Sequence, residues 1–166
     1  SMELGGKSPF VVFEDADLVR AMDAAVFMIF SNNGERCTAG SRIFVQRSIY
    51  AAFADKFAAR ASRITVGDPM LDTTIVGPMI SRQHLAKVRN YIALGVEEGA
   101  ELLTGGLEPP RMPLGLAGGN FVVPTVFGKV ANRMRIAQDE IFGPVACQIP
   151  SDDEDDASLL ANDTPE

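Results

Sequence analysis

Three short segments of this 166-residue chain combine residue types that could do chemistry. In Asn32-Asn33-Gly34-Glu35-Arg36-Cys37-Thr38-Ala39-Gly40 a cysteine lies in a polar, glycine-bearing stretch beside an arginine. The thiolate is the reactive form of cysteine, and a neighbouring cation favours it. Unpaired cysteines are more often inert filler, so local chemistry leaves Cys37 open between filler and nucleophile. Cys147, flanked by Val145, Ala146 and Ile149, reads as core. The second segment, Gln138-Asp139-Glu140-Ile141-Phe142-Gly143-Pro144, is either a helix end before a strand or a carboxylate that could grip ribose hydroxyls, as acidic residues do in dinucleotide sites. The third, Glu3-Leu4-Gly5-Gly6-Lys7-Ser8-Pro9, imitates the end of a phosphate-binding loop. That loop needs an earlier glycine, a strand before and a helix after. Position 1 is Ser and a strand follows Pro9, so a glycine turn feeding a strand is the better reading.

The remaining chemistry-bearing residues read as structural. His84 lies one position before an apolar stripe and reads as a surface or boundary residue. As the single histidine, it offers no zinc spacing. The acidic run 152–156 lacks the spacing of a calcium loop and reads as a solvated helix start, favourable to the helix dipole.

Composition narrows the class. Apolar residues make up 46% and charged residues 22%, which is globular usage. The net charge of −7 repels phosphate backbones and anionic bilayers, so no nucleic acid or membrane partner is expected. The longest apolar run, Ala24 to Phe30, is far short of a membrane span. Two distant cysteines without a CxxC pair, and no signal-like N-terminus, predict a reducing, cytoplasmic setting.

The elements that must position these segments alternate in type. Phe10 to Phe13 reads as a buried strand. Asp15 or Asp17 then caps a helix with Leu18, Met22, Ala25, Val26, Ile29 and Phe30 on one stripe, ended by Asn32-Asn33-Gly34. A strand over Ser41 to Gln46 leads to a helix capped by Ser48, with Ile49, Phe53, Phe57, Ala61 and Ile64 on one face. Ser81 opens a helix with Leu85, Val88, Ile92 and Val96 inward. Leu102-Leu103 is a short strand, and residues 107–119 form a loop. Phe121 to Phe127 reads as a strand at an edge or bulge because Pro124 lies inside it. Val145 to Ile149 is a further strand, and Ala157 to Ala161 begins a helix. This alternation predicts an α/β fold, a three-layer sandwich with a largely parallel sheet, and sites near the carboxyl ends of its strands.

Taken together and in order, the three segments resemble the aldehyde dehydrogenase superfamily. Glu3-Leu4-Gly5-Gly6-Lys7 is similar to its glutamate signature, and the Cys37 loop to its cysteine signature. Glu140-Ile141-Phe142-Gly143-Pro144 matches a further hallmark. The 34-residue separation of Glu3 and Cys37 fits, as do Val66-Gly67-Asp68-Pro69, Gly77-Pro78 and Pro124-Thr125-Val126. The resemblance implies Cys37 as nucleophile toward a small-molecule aldehyde, Glu3 as general base, and NAD or NADP as cofactor. It implies that Glu140 and Phe142 lie on the nicotinamide side, with the Leu4 backbone beside the ring. Residues around Arg36 resemble the 5-carboxymethyl-2-hydroxymuconate semialdehyde dehydrogenases of aromatic catabolism. Arg36 is accordingly either a contact for a substrate carboxylate or a structural ion pair.

The same resemblance marks what lies outside residues 1–166. The family carries a preceding cofactor-binding segment with a second oxyanion donor, and a C-terminal oligomerisation arm. The chain thus reads as a truncated catalytic domain of a homo-oligomeric parent, inactive alone, with its missing cofactor segment as a partner. Glu3, three residues from a free end, is expected to be mobile or misplaced. The competing reading is a non-catalytic folded module that associates through surfaces the absent parts would cover.

Overall fold

The structure is a computed structural model and describes every residue except Glu3 and Glu166. Five strands form one sheet: β1 (Pro9–Val12), β2 (Arg42–Gln46), β3 (Glu101–Thr104), β4 (Thr125–Gly128) and β5 (Val145–Ser151), in the order β1-β2-β5-β4-β3. All neighbours run parallel except β3, which is antiparallel to β4. Pro9, Arg42, Cys147 and Phe127 share one row across the sheet.

Helices cover both faces, as a parallel sheet requires. On one side α1 (Leu18–Phe30) and α2 (Arg47–Ala61) bury Met22, Ala25, Ile29, Phe30, Phe53 and Phe57 against Val12, Ile43, Val45, Val126 and Ala146. On the other, α3 (Arg82–Glu97) and α4 (Arg135–Gln138) pack Val88, Ile92 and Ile136 against Phe44, Phe127, Val145, Cys147 and Ile149. Leu160 and Ala161 of α5 (Glu154–Asn162) join that layer. Successive strand side chains point to opposite faces, so Ile43 and Val45 serve one core and Phe44 the other. Ile43, Phe44 and Val45 accordingly form an unbroken buried apolar run, as a strand covered on both faces requires. The expected α/β three-layer sandwich is the observed fold.

Several local expectations need correction. Asp17 caps α1, its carboxylate accepting from Val19 N and Arg20 N. Ser48 does not cap α2, which starts at Arg47, and its hydroxyl donates to Glu14 instead. β1 is an edge strand with only Val12 fully buried. Val96 is exposed. Phe121 and Val122 are buried without being strand, because Pro124 cannot donate to a ladder. β4 therefore starts after it, in the sheet interior between β5 and β3. The acidic run does open a helix, with Asp153 capping Asp156 N.

A further difference concerns the rim that carries the three candidate segments. Gly5 to Ser8 leads into β1, residues 31–41 into β2, and residues 139–144 into β5. All three segments therefore stand at the amino-terminal ends of parallel strands, opposite to the carboxyl-end expectation. That expectation rests on turns that aim helix N-termini at a ligand. These segments instead present a thiol and a carboxyl group from loops entering strands.

Candidate active site

The Cys37 loop is built by backbone that few residues tolerate. After α1, Ser31–Gly34 form a kinked turn in which Asn32 and Asn33 take φ of 51° and 60°. Asparagine is among the few side chains enriched in that left-handed region. Asn33 then fixes the loop to a distant segment. Its Oδ1 accepts from Gly77 N at 2.7 Å, and its Nδ2 donates to Pro78 O at 3.2 Å. Gly34 follows at φ 71°, where a Cβ would overlap the Gly143 carbonyl. The cysteine loop and the 140–144 segment are thus in backbone contact through two glycines.

Cys37 sits inside a turn closed by Ala39 N donating to Arg36 O at 3.1 Å, and it is exposed. Cys147 is wholly buried in β5, its Sγ 3.3 Å from Ile136 O, and burial pushes its thiol pKa up. The assignment of Cys147 to the core holds.

Glycines also bring the N-terminal segment in. A Cβ on Gly6 would lie 3.1 Å from Cys37 O, and one on Gly5, at φ 71°, would lie 2.7 Å from Glu140 Oε2. Only side-chain-free residues let Glu140 and Cys37 converge on this turn. Arg42, buried at the start of β2, anchors it. Its Nε donates to Lys7 O at 2.8 Å, while Nη2 and Nη1 reach Ala161 O and Leu160 O at the end of α5, where a cation is favoured. Burial lowers the pKa of Arg42 from its usual value, with Cys147 and Asp163 opposing. Leu4, just before the turn, is exposed. Glu3 lies outside the described residues.

Glu140 is partly buried, and its Oε1 is buried with no hydrogen-bond partner. A buried carboxylate oxygen without a donor is costly unless a ligand supplies one. Together with the Gly5 cradle it fits a group bearing hydroxyls. Phe142 adopts φ 59°, which is strained for a bulky residue. Its carbonyl accepts from His84 Nε2 at 2.6 Å. Arg36 is turned back onto α1: Nη1 donates to Ser31 Oγ at 2.6 Å, and the guanidinium stands 5.5 Å from the Phe27 ring centre. Among the described residues it has no ion pair, so nothing in the structure supports the ion-pair alternative. No metal-binding cluster and no membrane-length apolar helix occur among the described residues.

The model of the aldehyde dehydrogenase family matches residues 1–166. The chain belongs to that family. A 5-carboxymethyl-2-hydroxymuconate semialdehyde dehydrogenase of Escherichia coli is 63% identical over 164 residues, covering 98% of this chain and 35% of that protein. Among solved structures, HpcC from Thermus thermophilus superposes with a TM-score of 0.93 at 52% identity, over 98% of this chain and 32% of that one. A betaine aldehyde dehydrogenase from Staphylococcus aureus, solved with NAD+ and a BME-modified cysteine, gives 0.93 at 40% identity, over 98% and 33%. The chain spans about a third of the relatives it matches.

Reading the sequence missed Asn33, Arg42, His84, Lys87 and Tyr91 as parts of this site. The Asn-Asn-Gly run signalled a left-handed turn but not its tether to Gly77. The polar stripe 84, 87, 91 was hidden because it borders an apolar stripe on the same helix.

Proposed function

We propose that residues 1–166 are the catalytic portion of an NAD(P)-dependent aldehyde dehydrogenase. The observation that carries this reading is an exposed cysteine turn, set by left-handed asparagines and a glycine, against the partnerless Glu140 oxygen. The Cys37 thiolate attacks the aldehyde carbon, forming the S–C bond and an oxyanion. The Cys37 backbone N–H is a donor for that oxyanion, a contribution worth about 3 kcal/mol. A nicotinamide cofactor, when bound, would supply the hydride acceptor, and loss of that hydride from the carbon would leave a thioester on Cys37. Glu3 takes a proton from the water that hydrolyses the thioester, releasing carboxylic acid and thiol. Glu140 would hold the nicotinamide-side ribose hydroxyls, with Phe142 and the Leu4 backbone as the residues that would meet the nicotinamide ring.

Arg36 selects substrates that carry a carboxylate away from the aldehyde. It is held in place by Ser31 and Phe27, lacks an ion-pair partner among the described residues, and is adjacent to the nucleophile. The relative named for a carboxymethyl-substituted semialdehyde agrees with this class. The parent enzyme is read as a cytoplasmic homo-oligomer, and the cofactor-binding segment outside residues 1–166 is its necessary partner.

Residues 1–166 alone are expected to show no NAD(P)-dependent oxidation of a simple aldehyde. Turnover above a Cys37→Ala control would overturn that, whereas loss of turnover in Cys37→Ala full-length protein supports the reading. The alternative of a self-associating module draws on exposed Phe27, Met70, Ile80 and Leu114. Self-association without selective labelling of Cys37 would favour it.

A further inference from the structure

We propose that His84, Lys87 and Tyr91 are positioning residues, forming one polar stripe of α3 that sets the 139–142 segment and ties it to the nucleophile loop. Spacings of three and four residues place them on one helix face, bordering the buried Val88 and Ile92. Between the end of α4 and the start of β5 the chain has no ladder to satisfy its backbone. The stripe takes over that task. Lys87 Nζ donates to Glu140 O at 2.8 Å, and His84 Nε2 donates to Phe142 O at 2.6 Å. Tyr91 OH donates to Asp139 Oδ2 at 3.0 Å.

The segment lies flat on the helix, because a Cβ on Gly143 would come within 2.7 Å of Val88. The His84 ring also meets the Phe142 ring edge-on at 6.1 Å. These contacts hold Phe142 in its left-handed conformation, which an aromatic residue does not adopt unaided.

His84 faces the other loop too. Its Nε2 is 3.5 Å from Glu35 Oε1, and both side chains are largely buried. Glu35 in turn accepts from Ile80 N at 3.2 Å and from Asn33 Nδ2 at 3.4 Å. One imidazole therefore touches the segment carrying Glu140 and the residue two positions before Cys37. The functional weight of this arrangement rests on the reading that Glu140 and Phe142 face the cofactor.

The chain has a single histidine, so ¹⁵N NMR of its imidazole reports on this contact alone. The neutral ring is expected to be held as the Nε2–H tautomer. In the full-length enzyme, His84→Leu and the milder, exposed Lys87→Met should each raise KM for the nicotinamide cofactor about five- to tenfold, the scale of one lost hydrogen bond. KM for the aldehyde should change by less than about twofold. His84→Gln, whose amide N–H can reach the same carbonyl, should restore most of the loss. An Nδ1–H or freely exchanging tautomer would overturn the proposal, as would an unchanged cofactor KM in both His84→Leu and Lys87→Met where Glu140→Ala raises it. A held Nε2–H tautomer with cofactor KM unaltered in Glu140→Ala as well would support the stripe and place the failure in the cofactor reading.

Discussion

The two cysteines of this chain have the same side chain and opposite surroundings. Cys147 stands in β5, the middle strand, in the same row as Arg42 and Phe127, with no exposure and a thiol pKa raised first by desolvation. Cys37 stands in a turn between the kinked Ser31–Gly34 segment and β2, exposed to solvent. The difference lies in the backbone. A strand alternates its side chains into two cores, whereas the turn at Arg36–Ala39 leaves its inner residues outside both. Presenting Cys37 costs the chain two left-handed asparagines, a glycine against Gly143, and a tether to Gly77.

The largest expected effect separates the two directly. In the full-length enzyme Cys37→Ala should lower kcat/KM by about a thousandfold or more, since the proposed covalent route would be lost. Cys147→Ala should leave it within about twofold while costing about 1 kcal/mol of stability for the deleted buried atom. Steady-state kinetics and denaturant melts check both halves, and equal activity losses would break the comparison.

Next comes the backbone that presents Cys37. Gly34→Ala should destabilise the chain by about 2 kcal/mol or more, from positive φ and from overlap with the Gly143 carbonyl. Gly118→Ala meets nothing and should stay within about 0.5 kcal/mol. Urea midpoints distinguish them, and similar midpoints would mean the loop adjusts freely.

A smaller effect tests what Cys37 acts on. Arg36→Ala should raise KM about tenfold for a semialdehyde with a distal carboxylate, the scale of a charge-assisted hydrogen bond. KM for a neutral aldehyde should shift by no more than about twofold. Equal shifts for both would remove Arg36 from substrate recognition.

The smallest effect belongs to Cys147 and has a definite sign. Its folded-state pKa lies above the ordinary 9.0, so below pH 9.0 its stabilising contribution is fully present. Above that, unfolded chains ionise first, and the contribution is lost as pH rises toward the folded-state value. The stability advantage of wild type over Cys147→Ala should therefore shrink above pH 9.0 in denaturant melts. An advantage that grows would contradict the burial of this thiol.

Much of this contrast was legible in sequence. Val145, Ala146 and Ile149 around Cys147 declare a buried strand, and Asn32-Asn33-Gly34 declares a break after α1. The α/β alternation follows from period, and cap chemistry narrows the start of α1 to Asp15 or Asp17, of which Asp17 is the cap. The rim did not follow, because which end of a parallel strand carries a site depends on which connecting loop holds the reactive groups. Nor did the grip of Asn33 on Gly77, 44 residues away, or of His84 on Phe142, 58 residues away. Those bonds exist only once α3 is laid against the segment before β5, and local pattern carries no record of that distance. Val96 shows the opposite failure: a helical period extended one turn past the core it serves.

The most direct measurement is the stoichiometry and rate of alkylation of the native 166-residue chain by a small thiol reagent, with the sites identified by peptide mass. One thiol, Cys37, should react rapidly. Cys147 should react at least about a thousandfold more slowly, since it becomes accessible only when the core opens. Comparable rates at the two cysteines, or a Cys37 that reacts only in denaturant, would contradict the central claim.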